Sequence, residues 1–192
     1  MTSNTNNNNN ETRVTIYGRL SYVHLFKPHA AIQGQEEKYS TTILIPKSDT
    51  ATKQKIDVAI RAAETLGLEK TWNGAKPPKV PNPVWDGDGT KQDGTEFGPE
   101  CKGHWVMTAS AKVEYPPKVV DRRVQPIMDQ SEVYSGMYAN VAVNFFPYAF
   151  AGKKGIGAGL GNVQKVKDGE SLAGTRTPDQ DFAVIEDEDA AW

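Results

Sequence analysis

The sequence contains very little of what metal centres and disulfide-bonded folds need. Cys101 is the only cysteine among 192 residues, which excludes an internal disulfide framework and a zinc site built on several cysteines. The histidines, His24, His29 and His104, are dispersed and have no neighbouring cysteine or glutamate at ligand spacing. The sequence therefore predicts no bound metal and no cofactor, and a reducing cytoplasm is the simplest compartment.

Long hydrophobic runs are also missing. No stretch approaches the roughly 20 apolar residues of a transmembrane helix, so we expect no membrane partner. The Asn-rich start lacks the apolar core of a signal peptide and predicts a disordered N-terminus over residues 1–12. The remaining length suits a single domain, which we place at residues 13–178.

No set of residues has the spacing of an active site. Cys101 and His104 are three positions apart at a predicted loop–strand junction, which is weak evidence for a nucleophile and its base. Residues 86–90, Asp-Gly-Asp-Gly-Thr, resemble the opening of a calcium loop, but Lys91 stands where that loop requires glycine. A nuclease would need carboxylates clustered around a divalent metal. The sequence therefore predicts a protein that is not an enzyme.

Basic residues are absent from the C-terminal end. From Pro178 onward there is no Lys or Arg, while six carboxylates precede the terminal aromatic Trp192. Without those six, 22 Lys and Arg face 18 Asp and Glu, so the rest of the chain carries about +4 instead of −2. A flexible acidic tail over residues 179–192 on a basic body suggests that the body binds polyanions and that the tail binds proteins or competes with the polyanion. A solubilising terminus is the simpler alternative.

In the rest of the chain, apolar and polar residues alternate as they do in β-strands. Strands are predicted over residues 13–26, 38–45, 104–115, 137–150 and 155–166, with Val14, Ile16, Leu20 and Tyr22 on the inner side of the first. A helix begins after Ser48 or Asp49 and ends at Gly67, and a long loop covers residues 69–103. The pattern predicts a mainly β protein: an OB-fold, a five-stranded antiparallel barrel with an inserted α-helix and a long loop.

The strand at 137–150 has two different faces. One is ordinary core, whereas the other alternates aromatic rings with amides, including Tyr138, Phe146 and Tyr148. Single strands are bound without sequence preference by rings that stack on bases and by cations that neutralise phosphates. The candidates for stacking are Tyr138, Phe146, Tyr148, Tyr134, Trp72 and Trp85. The candidate phosphate contacts are Arg122, Arg123, Lys112, Lys153, Lys154, Arg19 and Lys38.

Two alternatives bear on these candidates. The rings could instead pack under the long loop or the helix as a second layer of core. The glycines at alternate positions from Gly155 to Gly161 are followed by strand and so do not fit a dinucleotide-binding turn. They indicate a close approach of backbone, of a ligand or of a covering aromatic.

Residues 119–138, VVDRRVQPIMDQSEVYSGMY, resemble the signature region of a phage single-stranded DNA-binding protein family, as do residues 39–48 and 162–169. In architecture and tail the chain is similar to the T7-type members. The resemblance implies coating of replication intermediates, a tail that competes with DNA and aids dimerisation, and recruitment of polymerase and helicase/primase through that tail. Those roles fall on Glu186, Asp187, Glu188, Asp189 and Trp192.

This chain departs from that type by ending in Trp after Ala190-Ala191 instead of in Phe, which bears on partner identity. We expect a sequence-tolerant single-stranded DNA-binding protein of phage replication or recombination, working in the cytoplasm of the host cell. The alternative is a phage adaptor or inhibitor whose acidic tail imitates a nucleic acid, and that alternative predicts indifference to DNA.

Overall fold

A computed structural model of the protein describes residues 11–174. The tail residues Glu186, Asp187, Glu188, Asp189 and Trp192 lie outside the described residues. Seven strands and one α-helix are present in this part of the chain. They are β1 (Arg13–His29), β2 (Lys38–Pro46), α1 (Thr50–Leu66), β3 (Val84–Asp86), β4 (His104–Lys112), β5 (Val119–Val120), β6 (Tyr138–Phe150) and β7 (Lys153–Lys167).

Five of the strands close into a barrel. The 17-residue β1 is long enough to pair with β2 through one half and with β6 through the other. β2 continues to β4, β6 continues to β7, and a parallel bridge between Ser110 and Gly159 joins β4 to β7. The predicted five-stranded OB-fold barrel is confirmed, although its closing contact is parallel. The short strands β3 and β5, which extend the edges at β4 and β7, are not predicted from the sequence.

Helix α1 follows β2 in the sequence, before the third barrel strand β4, and covers one end of the barrel. The side chain of Asp49 accepts a hydrogen bond from the Thr52 N–H, as a capping residue should. Its buried side chains recur at helical spacing, which confirms the predicted inner face: Ile56, Ala59, Ile60 and Ala63. The α-helix ends at Leu66, and the chain continues through one π-helical turn over Gly67–Thr71. No helix in residues 11–174 is long and apolar enough to cross a membrane.

Trp72 follows that turn and closes the end of the core. It is 1% exposed, and a Cβ at Gly67 would lie 2.8 Å from its ring, so the glycine makes room for the indole. Its Nε1 donates a hydrogen bond of 3.0 Å to the Tyr148 carbonyl. Trp72 therefore packs in the core, and its ring has almost no exposed surface for the base contact that the sequence predicts.

A bulge in β1 turns one predicted core residue outward. Ser21 pairs with Thr42 and His24 pairs with Ser40, so three steps on β1 match two on β2. The extra residue is Tyr22, which has a φ of 47° and is 67% exposed. Its prediction as an inner residue is wrong, because strict alternation fails where the strand inserts a residue.

Candidate nucleic-acid interface

The outer face of β2 and β4 is a ladder of paired side chains. Residues directly opposite each other in an antiparallel pair lie on the same face of the sheet. From one end to the other the outward pairs are Lys38 with Lys112, Ser40 with Ser110, Thr42 with Thr108, and Leu44 with Val106. The face is therefore cationic at one end, hydroxyl-bearing in the middle and apolar at the other end.

A groove of about 450 Å³ lies on this face. Thr42, Thr108 and Val106 contribute to its floor, and the Oγ1 atoms of the two threonines are 2.9 Å apart. Tyr22 from the β1 bulge and Trp85 from β3 also line it, and these rings are 67% and 37% exposed. The volume is in the range of clefts that hold small ligands. The groove offers exposed aromatic surface beside two threonine hydroxyls that are hydrogen-bonded to each other.

The segment that contains Trp85 is tied down by a lysine between two carboxylates. Lys47 Nζ lies 2.5 Å from an Asp86 carboxylate oxygen and 2.7 Å from one of Asp88. The other Asp88 oxygen accepts a hydrogen bond of 2.9 Å from the Gly103 N–H. The Lys47 hydrogen bonds, and after them backbone N–H donors, hold the pKa values of Asp86 and Asp88 below their ordinary range. These carboxylates therefore bind the Lys47 ammonium. Residues 11–174 contain no cluster of three or more side chains that could hold a metal ion.

Lysines lie at the groove and at the cationic end of the ladder. Lys91 lines the groove, with its ammonium 5.7 Å from the centroid of the Phe97 ring. Lys38 and Lys112 are direct cross-strand partners, an arrangement of like charges that destabilises a sheet. Within residues 11–174 neither of the two has a carboxylate at ion-pair distance. An anionic ligand would relieve that repulsion.

Among residues 11–174, Trp85 is the one sequence-based candidate that lines the groove, and the other aromatic and cationic side chains of its lining, Tyr22, Lys91 and Phe97, are absent from those candidates. The alternation in β1 assigned Tyr22 to the core, and only knowledge of the bulge would have corrected it. Lys91 and Phe97 stand in the long loop close to Trp85, so the loop's aromatic content is the one signal that pointed to them.

Phe146 and Tyr148 lie on the outer face of the β6–β7 hairpin. A Cβ at Gly157 would be 2.5 Å from the Phe146 ring, and one at Gly155 would be 2.6 Å from the Tyr148 hydroxyl. The bare backbone of β7 therefore accommodates covering aromatics, one of the explanations that the glycine pattern suggests. Phe146 remains 43% exposed, whereas Tyr148 is half-buried.

Lys153 and Lys154 follow the turn of the same hairpin. Lys153 is exposed, but Lys154 Nζ donates to the carbonyls of Trp72 and Ala75, at 3.5 Å and 3.2 Å. Phe150, directly opposite Lys153, is 81% exposed. Lys153 is thus free to contact a ligand at the hairpin tip, while Lys154 holds the segment after α1.

Tyr138 lies on the same face but at the opposite end of β6. Eight residues separate it from Phe146, which corresponds to about 26 Å along a strand. Its ring is stacked with Tyr17 at 6.1 Å, and Lys167 Nζ is 4.7 Å from its centroid. Tyr138 and Phe146 therefore do not form one continuous stacking platform, although the sequence places them on one face.

Two other candidates hold the chain that follows β7. Arg19 donates hydrogen bonds to the carbonyls of Gly136 and Glu170, at 3.2 Å and 2.6 Å. The Tyr134 hydroxyl donates to an Asp168 carboxylate oxygen and accepts from the Gly169 N–H. Both side chains are half-buried, and their contacts give them a structural role.

Arg122 and Arg123 are exposed in the turn after β5, outside the lining of the groove. The Asp121 carboxylate shapes that turn by accepting hydrogen bonds from the N–H groups of Arg123 and Gln125, at 2.8 Å and 2.9 Å. β5 pairs with residues 163–164 of β7 and β3 pairs with residues 105–107 of β4, on opposite sides of the parallel Ser110–Gly159 bridge that joins these two strands. The structure therefore does not bring these arginines together with Trp85.

The end of the described chain passes beside the groove. The Leu172 N–H donates to the Ser135 carbonyl at 2.8 Å, and the Leu172 side chain packs on a small cluster of Leu44, Cys101 and Val106. Cys101 and Val106 also line the groove. The described chain therefore passes the apolar end of the face at Leu172, close to where it ends.

The closed barrel with a groove across its second and third strands defines the OB-fold class, whose members carry their ligand sites on that face. The chain matches the family model described as Enterobacter phage Enc34, ssDNA-binding protein, over residues 12–191, and it belongs to that family. A curated relative, putative protein p50 of Acyrthosiphon pisum secondary endosymbiont phage 1, is 32% identical over 167 residues, which cover 81% of this chain and 83% of that protein.

Solved structures agree with this assignment. The single-stranded DNA-binding protein of bacteriophage Enc34 in complex with ssDNA is similar, with a TM-score of 0.68 and 29% identity over 83% of this chain and 88% of that one. The gp2.5 single-stranded DNA-binding protein of bacteriophage T7 has a TM-score of 0.56 at 15% identity, over 86% of this chain and 97% of that one. The second likeness extends to the fold alone.

Proposed function

We propose that this protein binds single-stranded DNA without sequence preference and coats it during phage replication or recombination, without catalysing a reaction. The observation that carries the proposal is the groove on the outer face of β1, β2 and β4, where Tyr22 and Trp85 present ring surface beside Lys91. Membership of the Enc34 family supports it, because the Enc34 protein has been solved in complex with ssDNA.

In this proposal bases stack on the exposed rings of the groove, and phosphates contact the lysines along the same face. Stacking contributes roughly 1 to 3 kcal/mol per base and tolerates every base, since all bases have a π-face. The hydroxyls of Thr42 and Thr108 bond to each other, but the Gln92 and Glu100 side chains also line the groove. The proposed lack of sequence preference therefore rests on stacking and on phosphate contacts.

The β6–β7 hairpin offers a second set of contacts. In OB-folds the loop between the last two barrel strands flanks the ligand-binding face. Phe146, Tyr148 and Lys153 lie on this hairpin, and the first and last have exposed surface. We assign to them contacts with DNA that leaves the groove. At the far end of β6, Tyr138 would contact DNA together with Lys167, whose ammonium already faces its ring.

The acidic tail would compete with DNA for the groove and recruit replication proteins when DNA displaces it. The packing of Leu172 on Leu44, Cys101 and Val106, beside the groove, supports this role. The 18 residues that follow position 174 could span at most about 60 Å if fully extended, which is enough to reach any part of the face. Six carboxylates and Trp192 match the chemistry of lysines and aromatic rings.

The proposed function is tested by titrating the intrinsic tryptophan fluorescence with oligothymidylate at low and high salt. Stacking near Trp85 should give saturable quenching that salt reverses, because phosphate contacts release counterions. A titration that stays flat at low salt, with no electrophoretic shift, would reject DNA binding and favour the adaptor alternative.

A further inference from the structure

Two histidines of β1 form a stacked pair. The ring centroids of His24 and His29 are 4.2 Å apart, and their planes differ by 7°. Five residues along a regular strand would place two side chains on opposite faces, about 17 Å apart. The contact exists because β1 is irregular between them: five steps from His24 to His29 match only two from Ser40 to Lys38.

The pair adjoins the cationic end of the β2–β4 ladder. His24 is paired with Ser40 and His29 with Lys38, and Lys38 is paired in turn with Lys112. His29 and Lys112 are exposed, while His24 and Lys38 are half-buried. Two imidazoles and two ammonium groups therefore line the end of the face that carries the groove. The charged residues nearest to them in sequence are Lys27 on β1, Glu36 and Glu37 before β2, and Glu114 after β4.

We propose that His24, His29, Lys38 and Lys112 form a phosphate site that takes up protons when single-stranded DNA binds, an inference that rests on the function proposed above. A neutral His24 ring, stacked on His29, adds no charge beside two lysines in the free protein. A phosphate diester supplies the negative charge that makes a protonated imidazole favourable there.

The free protein is set to take up protons on binding. Burial, and after it the neighbouring His29 ring, hold the pKa of His24 below its ordinary value. His24 is therefore neutral near pH 7 in the free protein, and a bound phosphate raises its pKa toward protonation. A group whose pKa rises on binding makes binding tighter as pH falls, by up to about tenfold per pH unit for each proton taken up.

The test measures affinity for oligothymidylate between about pH 8 and about pH 6. Thymine does not titrate in this interval, so the DNA contributes no proton of its own. We expect the wild-type protein to bind more tightly as pH falls and the H24N/H29N variant to show a flat profile. The third histidine provides the matched control: His104 lies at the start of β4, where Nδ1 contacts the Lys102 carbonyl at 2.7 Å. H104N should keep the wild-type profile.

Calorimetry on the wild-type protein measures proton uptake on DNA binding directly, so this test does not depend on the folding of a variant. Proton uptake makes the observed binding heat depend on the ionisation enthalpy of the buffer, so titrations in PIPES and in Tris, neither of which supplies phosphate, should differ. Equal heats in the two buffers, or an H24N/H29N profile that matches wild type, would overturn the phosphate site while leaving DNA binding intact. Absence of binding at every pH would overturn the proposed function as well.

Discussion

Tyr22 offers the sharpest test of the groove, because its ring costs the fold little to remove. The side chain is 67% exposed and lines the groove from the β1 bulge. Truncation by Tyr22→Ala removes a stacking surface worth roughly 1 to 3 kcal/mol per base, so affinity for oligothymidylate should fall about 5- to 150-fold. Tyr22→Phe keeps the ring and should bind within about twofold of wild type.

A glycine at the same position separates binding from backbone strain. A non-glycine residue in the left-handed region costs roughly 1 to 2 kcal/mol, and Tyr22 has a φ of 47°. Glycine relieves that strain, but it also raises the conformational entropy of the unfolded chain, which lowers the stability of the folded protein by about 0.4 to 1 kcal/mol. Tyr22→Gly should therefore be more stable than Tyr22→Ala by up to about 1.6 kcal/mol, the reverse of the order in an ordinary strand.

Both measurements use the same three variants. Urea denaturation gives the free energies of unfolding, and fluorescence anisotropy with labelled oligothymidylate at low salt gives the affinities. The expected pattern is weak binding by the Ala and Gly variants, of which Gly is the more stable. If Tyr22→Ala is folded and binds as tightly as wild type, the ring does not stack on DNA and the groove assignment is wrong.

Three further predictions concern charge. The double variant Lys38→Met/Lys112→Met should lower the slope of log affinity against log salt by about 0.7 for each lysine lost, while Lys70→Met, an exposed control at the end of the π-helical turn, should leave it unchanged. An unaltered slope in the double variant would remove both lysines from the interface. Deletion of residues 179–192 should strengthen DNA binding at low salt, and equal affinities of the full and truncated chains would exclude competition by the tail. Lys47→Met should speed hydrogen exchange over residues 84–103, because Asp86 and Asp88 lose their shared partner. In the wild type the pKa values of Asp86 and Asp88 are lowered, so the restraint is present at neutral pH and is lost as pH falls through the lowered values. Hydrogen exchange that responds neither to Lys47→Met nor to the fall in pH would contradict this prediction.

The barrel follows from the sequence because its strands are long and alternate regularly. The inner residues of β6 are buried as the period of two requires, and Asp49 and the spacing of Ile56 to Ala63 mark α1. Strands of two or three residues, such as β5 and β3, are too short to generate a pattern. Their pairing depends on neighbouring strands, which one sequence does not display.

The candidate site was harder to predict, because it depends on irregularities and on distances between strands. Trp85 lies in the groove as an aromatic in the long loop suggests, but Trp72, from the same loop, fills the core. Tyr138 and Phe146 share a face, yet they are far apart along it. The Tyr22 bulge and the His24–His29 stack both arise from extra residues in β1, and nothing in the alternation of β1 marks their position.

Photocross-linking of the protein to an oligonucleotide that carries 5-iodouracil, followed by mass spectrometry of the linked peptides, tests the central claim most directly. Halogenated uracil reacts with aromatic side chains that stack on it. The account predicts cross-links to Tyr22, Trp85 or Phe97, which line or adjoin one groove. Cross-links confined to Tyr138, Phe146 or Tyr148, or no cross-link under conditions of saturated binding, would contradict the assignment of that groove as the DNA site.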